Sequence, residues 1–441
     1  MHKLIFSLLA LLLTFNGFPQ SYWCIRNEAG EELLLTIHIN QGNLTYEGHT
    51  RKEALKEMAG TFTYMLAKTA GKLRYPEIVH SEGKVSFNAD TTYFTGNFDY
   101  LDKSFPLKAK IWNSTFIGIL TDSRNRTHTL TGERVNSDQP LHDYSTMIDS
   151  SFSLTEKYYW DRNMIKSSDW LNFKNKVNEF KRKITDDYEL GAILFWFSKK
   201  LPIAPYEIKK VSGRENEAKN RRVFAVREIR PKIAFLDLSN LPDDKENMDH
   251  LFGDIRKKEC RVLILDARGR KNLPLTTATL LANHLTNLPA DWGAFLTRKW
   301  TDNNLIVPRS AEYAGKIKNA SQFTDKNHSI YSEKGCFLKL DPATIVFDGK
   351  IFMLIDQKTS RISEALAVWL KNDRLATIAG QKSAGQPMLF EAISVENQYQ
   401  IILPTAQFYD KSGNSHAGSG VIPDLITEED ALNTILRDVK M

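Results

Sequence analysis

KTSRISEALAVWL, residues 358–370, is the stretch on which the reading of this chain turns. It follows the apolar run IFMLID (351–356). Ile362, Leu366, Trp369 and Leu370 fall on one helical face, which reads as core packing. Strand, short turn and helix in this order place a side chain at a helix N-terminus, where developing negative charge is stabilised. Thr359 or Ser360 is expected to cap the helix, with Ser363 in its first turn. Lys358 and Lys382 are expected to project into solvent.

The surroundings are α/β. IAFLDL (233–238) and RVLILDA (261–267) are near-continuous apolar runs, as buried parallel strands should be. NMDHLFGDIRKK (247–258) lies between them with helical spacing and completes a βαβ unit. TTATLLANHLTN (276–287) reads as a helix and LATIAG (375–380) as a strand, with YQIILPTAQFYD (399–410) more β-like. Upstream, short strand-like runs fill residues 22–135, from ELLLTIHI (32–39) through TTYFTGNFDY (91–100) to HTLTGERV (128–135). They predict an antiparallel barrel or sandwich, either packed solid or enclosing a lipocalin-like cavity. Residues 141–200 read as helical, and 210–226 as a charged loop.

The N-terminus, MHKLIFSLLALLLTFNGFPQS, has a cation before a short apolar run and reads as a secretory signal peptide with cleavage near Gln20 or Ser21. The run is too short to span a bilayer, which takes about 20 apolar residues. Trp23 is too bulky to precede a lipidated Cys24, so lipoprotein processing is not expected. The net charge of +6 over 441 residues is small and dispersed, which argues against a nucleic-acid partner. Three cysteines exclude a disulfide-stapled fold, and a Cys260–Cys336 pairing stays open. Ten scattered histidines give no metal motif, and no cofactor is implied.

Four segments resemble the tail-specific, or C-terminal processing, serine peptidases. In RVLILDARGR (261–270), Asp266 and Arg268 match the end of a family strand, and both read as structural. Thr359 and Glu364 bracket the nucleophile motif. Arg374, Gly380 and Gly385 match a third segment, and Gly413, Gly418, Gly420, Val421, Pro423 and Asp424 a fourth. The resemblance implies a ClpP/crotonase-like α/β core. It also implies where the catalytic groups should stand, and there the chain departs from the pattern. Arg361 occupies the nucleophile position, Gln386 that of a lysine base, and Ala204 and Pro205 those of a Ser-His pair. Ala417 replaces a glutamate, and Asn272 and Leu273 a glycine pair whose backbone helps stabilise an oxyanion. A serine hydroxyl needs an adjacent base, so the loss of all these groups removes acyl-transfer chemistry.

The expectation is therefore a secreted or periplasmic homologue without an intact catalytic site, acting as a binding protein. Its candidate ligands are an extended peptide, a protein C-terminus or a small apolar molecule. Arg361, Ile362, Asn272 and Leu273 are the candidate binding residues. Arg361 is expected to form an internal ion pair with Glu364 or Asp266 rather than bind a ligand. His416 reads as an exposed loop residue. Two alternatives stand beside this: an active serine peptidase using Ser360 or Ser363, and lipid or small-molecule binding by the β-domain. The expected organisation is a signal peptide at 1–20, a lipocalin-like or small-barrel domain at 21–137, a helical segment and charged linker at 138–226, and the α/β domain at 227–441.

Overall fold

The computed structural model describes residues 21–40, 43–48, 79–88, 90–100, 103–203, 206–211, 226–269, 273–302, 309, 316–323, 329–396, 398–427 and 430–438. They divide into two compact units. One holds the N-terminal region with 163–216 and 393–401, and the other holds 155–162 with most of the C-terminal half.

The first unit is built on a closed antiparallel barrel. Its strands are β1 (Ser21–Arg26), β2 (Glu32–Asn40), β3 (Asn43–Gly48), β4 (Val79–Asn88), β5 (Thr91–Tyr100), β6 (Lys103–Trp112), β7 (Thr115–Thr121) and β8 (Thr127–Val135). β1 closes the ring against β8. Period-2 alternation sends Phe94, Phe98, Leu107, Ala109, Phe116 and Leu130 to buried positions and leaves Lys108 and Lys110 outside. Gly83 and Gly96 face each other across β4 and β5. A Cβ on either would come within 2.6 Å of the Phe94 ring. Glycine is needed there because the facing backbone lies within 2.4 Å of either Cβ position, closer still than the ring.

Helices follow: α1 (Tyr144–Tyr158), α2 (Arg162–Lys166), α3 (Ser168–Phe180) and α4 (Asp187–Phe197). Ser167 caps α3 by accepting from Trp170 N at 3.2 Å. Asp186 caps α4, and its other carboxylate oxygen accepts from Leu34 N at 3.1 Å. Phe152, Trp170, Phe173 and Tyr206 form one aromatic cluster. The short strand β9 (Ile208–Lys210) completes this unit's described elements. Glu32 is its electrostatic hub. Its carboxylate lies 2.7 Å from Arg26 Nε, 2.6 Å from His142 Nε2 and 2.8 Å from Lys210 Nζ.

The second unit contains two mixed sheets. The first has the order β10 (Arg227–Arg230), β11 (Ile233–Asp237), β12 (Val262–Asp266), β16 (Lys350–Ile355), β17 (Thr377–Gly380), β20 (Leu425–Ile426). From β11 onward its neighbours are parallel, with Ile233 beside Val262 and Val262 beside Lys350. The second has the order β14 (Lys318–Asn319), β15 (Gly335–Leu340), β13 (Ala290–Thr297), β19 (Tyr399–Tyr409), β18 (Met388–Glu396). Helices α5 (Lys245–Lys257), α6 (Leu275–Asn283), α7 (Arg298–Thr301) and α8 (Ile362–Asn372) precede the last, α9 (Ala431–Asp438). The main core joins β11, β12 and β16 to α5, α6 and α8. α9 covers Ile264, Phe352 and Leu354 in a separate cluster.

Helix α8 forms because Ala365, Leu366, Trp369 and Leu370 stack into that core at 0–2% exposure. Full burial of one such large side chain stabilises by about 1.5–3 kcal/mol. The helix stops at Arg374, whose left-handed φ of 56° lets Leu375 N bond back to Leu370 O. All three cysteines are free and buried.

Candidate functional site

The elbow at the start of α8 is assembled by local hydrogen bonds. Thr359 does not cap the helix, contrary to expectation. Its hydroxyl donates to Ala267 O at 2.9 Å and accepts from Asp356 N at 3.0 Å. Asp356 Oδ2 accepts from Gly269 N at 2.9 Å. Together these residues tie the ends of β12 and β16. Ser360 does not cap either. The Ser360 and Ser363 residues are 2% and 1% exposed, and their Oγ atoms have no hydrogen-bond partner among the described residues.

Arg361 stands at the bend with φ 62° and ψ −138°. Non-glycine residues in such strained backbone regions cost about 1–3 kcal/mol, and such strain clusters at functional sites. Arg361 N–H donates to Gln386 O at 2.8 Å, and Arg361 O accepts from Glu364 N at 3.1 Å. Its guanidinium lies 4.1 Å over the Phe390 ring. Stacking of this kind is a characteristic use of arginine.

The two carboxylates expected to hold Arg361 are engaged by other donors. Glu364, with 0% exposure, accepts from Ser383 Oγ, from Gly385 N at 2.8 Å and from Gln386 N at 2.7 Å. Burial pushes its carboxyl above the usual range, against the pull of these donors and of nearby His416. Asp266 accepts two bonds from the Arg268 guanidinium, at 2.9 and 3.0 Å, and one from its backbone N–H at 3.1 Å, and Arg268 also reaches Asp430.

Ser383 Oγ also accepts from Val421 N at 2.6 Å. Gly385 has φ 71°, and a Cβ there would lie 3.0 Å from Gly418 C. The loops 381–387 and 416–421 therefore meet on glycine and on one buried carboxylate. His416 is not free in its loop. Its Nε2 lies 3.1 Å from Asp410 Oδ2, and Asp410 also accepts from Ser412 and Asn414 N–H groups. Burial works to raise the Asp410 carboxyl, but these donors prevail and hold it below its usual range.

Arg361, Ser360, Ser363 and Gln386 gather at this elbow. Ala417 belongs to the adjoining 416–421 loop, where its N–H donates to Ser415 Oγ at 3.2 Å. Ile362 and Leu273 are each 4% exposed in the main core, so they pack rather than line a cleft. Ala204, Pro205 and Asn272 lie outside the described residues. Ser383, Phe390 and Asp410 carry structural roles at the site that the sequence reading passed over. The pattern Asp410-Lys-Ser412-Gly-Asn414 was a legible signal, since aspartate readily accepts from N–H groups two and four residues on. Lys358 and Lys382 are exposed. No group of three potential metal-ligating residues occurs among the described residues.

Residues 232–427 match the sequence profile of Peptidase family S41. A carboxy-terminal-processing protease of Bartonella bacilliformis is 34% identical over 79 residues. That stretch is 18% of this chain and 18% of the relative, so the match spans under a fifth of that protein's length. A lipoprotein from Streptococcus agalactiae aligns over 69% of this chain and 99% of its own, at 14% identity and a TM-score of 0.45. The photosystem II D1 C-terminal processing protease aligns over 69% and 97%, at 12% identity and a TM-score of 0.37. These superpositions are loose, and the profile match spans 232–427, under half of the chain.

Proposed function

We propose that this chain, a member of peptidase family S41 through residues 232–427, is a homologue that binds peptide and does not cleave it. The observation that carries this reading is the occupant of the elbow. Arg361 holds the strained position, and the serines on either side are buried with unpartnered hydroxyls. No base reaches either oxygen among the described residues, and an unactivated serine does not attack an amide. The Arg361 N–H, a donor that could steady an oxyanion, is already bound to Gln386 O. This arrangement gives the alternative nucleophiles Ser360 and Ser363 no support.

Arg361 is half-buried and stacked on Phe390, a setting suited to holding a peptide carboxylate. Among the described residues the inward rings Phe94, Phe98 and Phe116 are buried, which lends no support to a lipid-holding cavity. Export is proposed on the N-terminal apolar run alone. Among the described residues no helix is long and apolar enough to cross a membrane.

The test is hydrolysis of an unfolded protein by the mature chain, beside a Ser360→Ala/Ser363→Ala variant and an Arg361→Ser/Gln386→Lys variant. The account expects no turnover from the parent. Turnover in the parent that vanishes in the alanine variant would contradict it. Turnover appearing only in the Arg361→Ser/Gln386→Lys variant would locate the lost chemistry at these two positions.

A further inference from the structure

The C-terminal end of α4 carries FWFSKK (195–200), which plays no part in the reading of the elbow. Phe195 is 44% exposed, and Trp196 and Phe197 are half-buried. Lys199 and Lys200, both exposed, follow buried Ser198 on a single 3₁₀ turn. Lys199 Nζ lies 3.3 Å over the Trp196 ring and 5.6 Å from that of Phe195. Phe197 stacks on Phe180 at 5.8 Å, which brings the exposed Arg182 and Lys183 after α3 to the same patch. The nearby acid Asp149 is engaged by Lys181, and Glu179 by Lys176.

Lysines at a helix C-terminus are favoured by the helix dipole alone. That does not account for three consecutive incompletely buried aromatic rings, since a helix end this apolar gains by covering them. Aromatic rings beside cations match the boundary of a bilayer. There the rings sit at headgroup depth while lysine stems lie along apolar surface and carry their charge to phosphate. We propose that this patch docks on an anionic lipid surface, with Phe195 and Trp196 entering the headgroup layer and Arg182, Lys183, Lys199 and Lys200 meeting the phosphates.

The test is co-sedimentation of the mature chain with vesicles of phosphatidylcholine, and of phosphatidylcholine with phosphatidylglycerol, at about 0.1 M salt. Binding is expected only to the anionic vesicles. Each lysine near such a surface is worth about fivefold in affinity, so Lys199→Glu/Lys200→Glu should weaken binding about twentyfold or more. Phe195→Ser, at an exposed position, should weaken it about three- to tenfold. Lys108→Glu/Lys110→Glu, the same charge change on the outer face of the barrel, should leave binding close to that of the parent. Circular dichroism checks that each variant is folded, and Phe195→Ser decides the matter if the lysine variant is not. Absence of binding to the anionic vesicles would overturn the proposal. So would binding that the α4 variants leave intact, or an equal loss in the barrel-face variant.

Discussion

Two buried glutamates, one in each unit, are satisfied in opposite ways. Glu32 in the barrel unit faces Arg26, His142 and Lys210. Burial pushes its carboxyl up, but hydrogen bonds from Lys210, Arg26 and His142 outweigh that and hold it down at about 2. Glu364 at the elbow is held by a hydroxyl and two backbone N–H groups, and burial leaves its carboxyl raised. The barrel unit uses charge to fix its strands and helices. The elbow uses neutral donors to fix backbone, and Arg361 stands there at a strained φ of 62°.

The contrast can be broken by substitution. The largest effect is expected from Glu32→Gln, which takes the carboxylate from buried Lys210, while Arg26 keeps Glu133 at 3.0 Å. Removing one partner of a buried ion pair costs about 3–5 kcal/mol, read by denaturant unfolding. The native Glu32 contribution is present above its ordinary 4.5 and is lost as pH falls toward about 2. Glu364→Gln should cost less, roughly 1–3 kcal/mol, because its donors are neutral and one acceptor oxygen survives. A larger loss at Glu364 than at Glu32 would invert the comparison.

Asp186 sharpens the contrast within the barrel unit. Among the described residues no cation contacts it, and burial, then the Glu189 charge, push its carboxyl from 3.8 up to about 8. Its stability contribution is therefore present below about 3.8 and is lost as pH rises through about 8. Asp186→Asn keeps an acceptor for only one of Glu189 N and Leu34 N, so it should cost some stability, and it should flatten this part of the pH dependence of the melting temperature. An unchanged slope would show that Asp186 stays ionised, supported by its two N–H donors. The smallest effect is expected from Arg361→Gly. It relieves the positive φ at the cost of the Phe390 stack and should stabilise by about 1 kcal/mol or less. Clear destabilisation would mean that the stack outweighs the strain.

Much of the architecture was legible in sequence, for a physical reason. Parallel strands buried on both faces must be continuously apolar, and IAFLDL, RVLILDA and IFMLID announced themselves so. TTYFTGNFDY gave β5 at its observed bounds through its turn residues and alternation. SYWCIR and NLTYEG were passed over as β1 and β3, since neither has a long alternating run and closure of the barrel decides both. At the elbow, the family resemblance located Arg361 and Gln386. It could not show that Thr359 would bond back to Ala267 instead of forward into α8, because that choice depends on where β12 ends. Nor could it show that Ser383, 19 residues from Glu364, would take the carboxylate assigned to Arg361. His416 looked idle because its partner, Asp410, is buried by packing that no local pattern displays.

The central claim is that the elbow holds no reactive serine. The most direct measurement is intact-mass labelling of the parent chain with a serine-directed fluorophosphonate. The Arg361→Ser/Gln386→Lys variant runs beside it. The account predicts an unlabelled parent at times when an active serine hydrolase control is fully modified. Stoichiometric adduct on Ser360 or Ser363 of the parent would contradict it and would return the chain to the active peptidases.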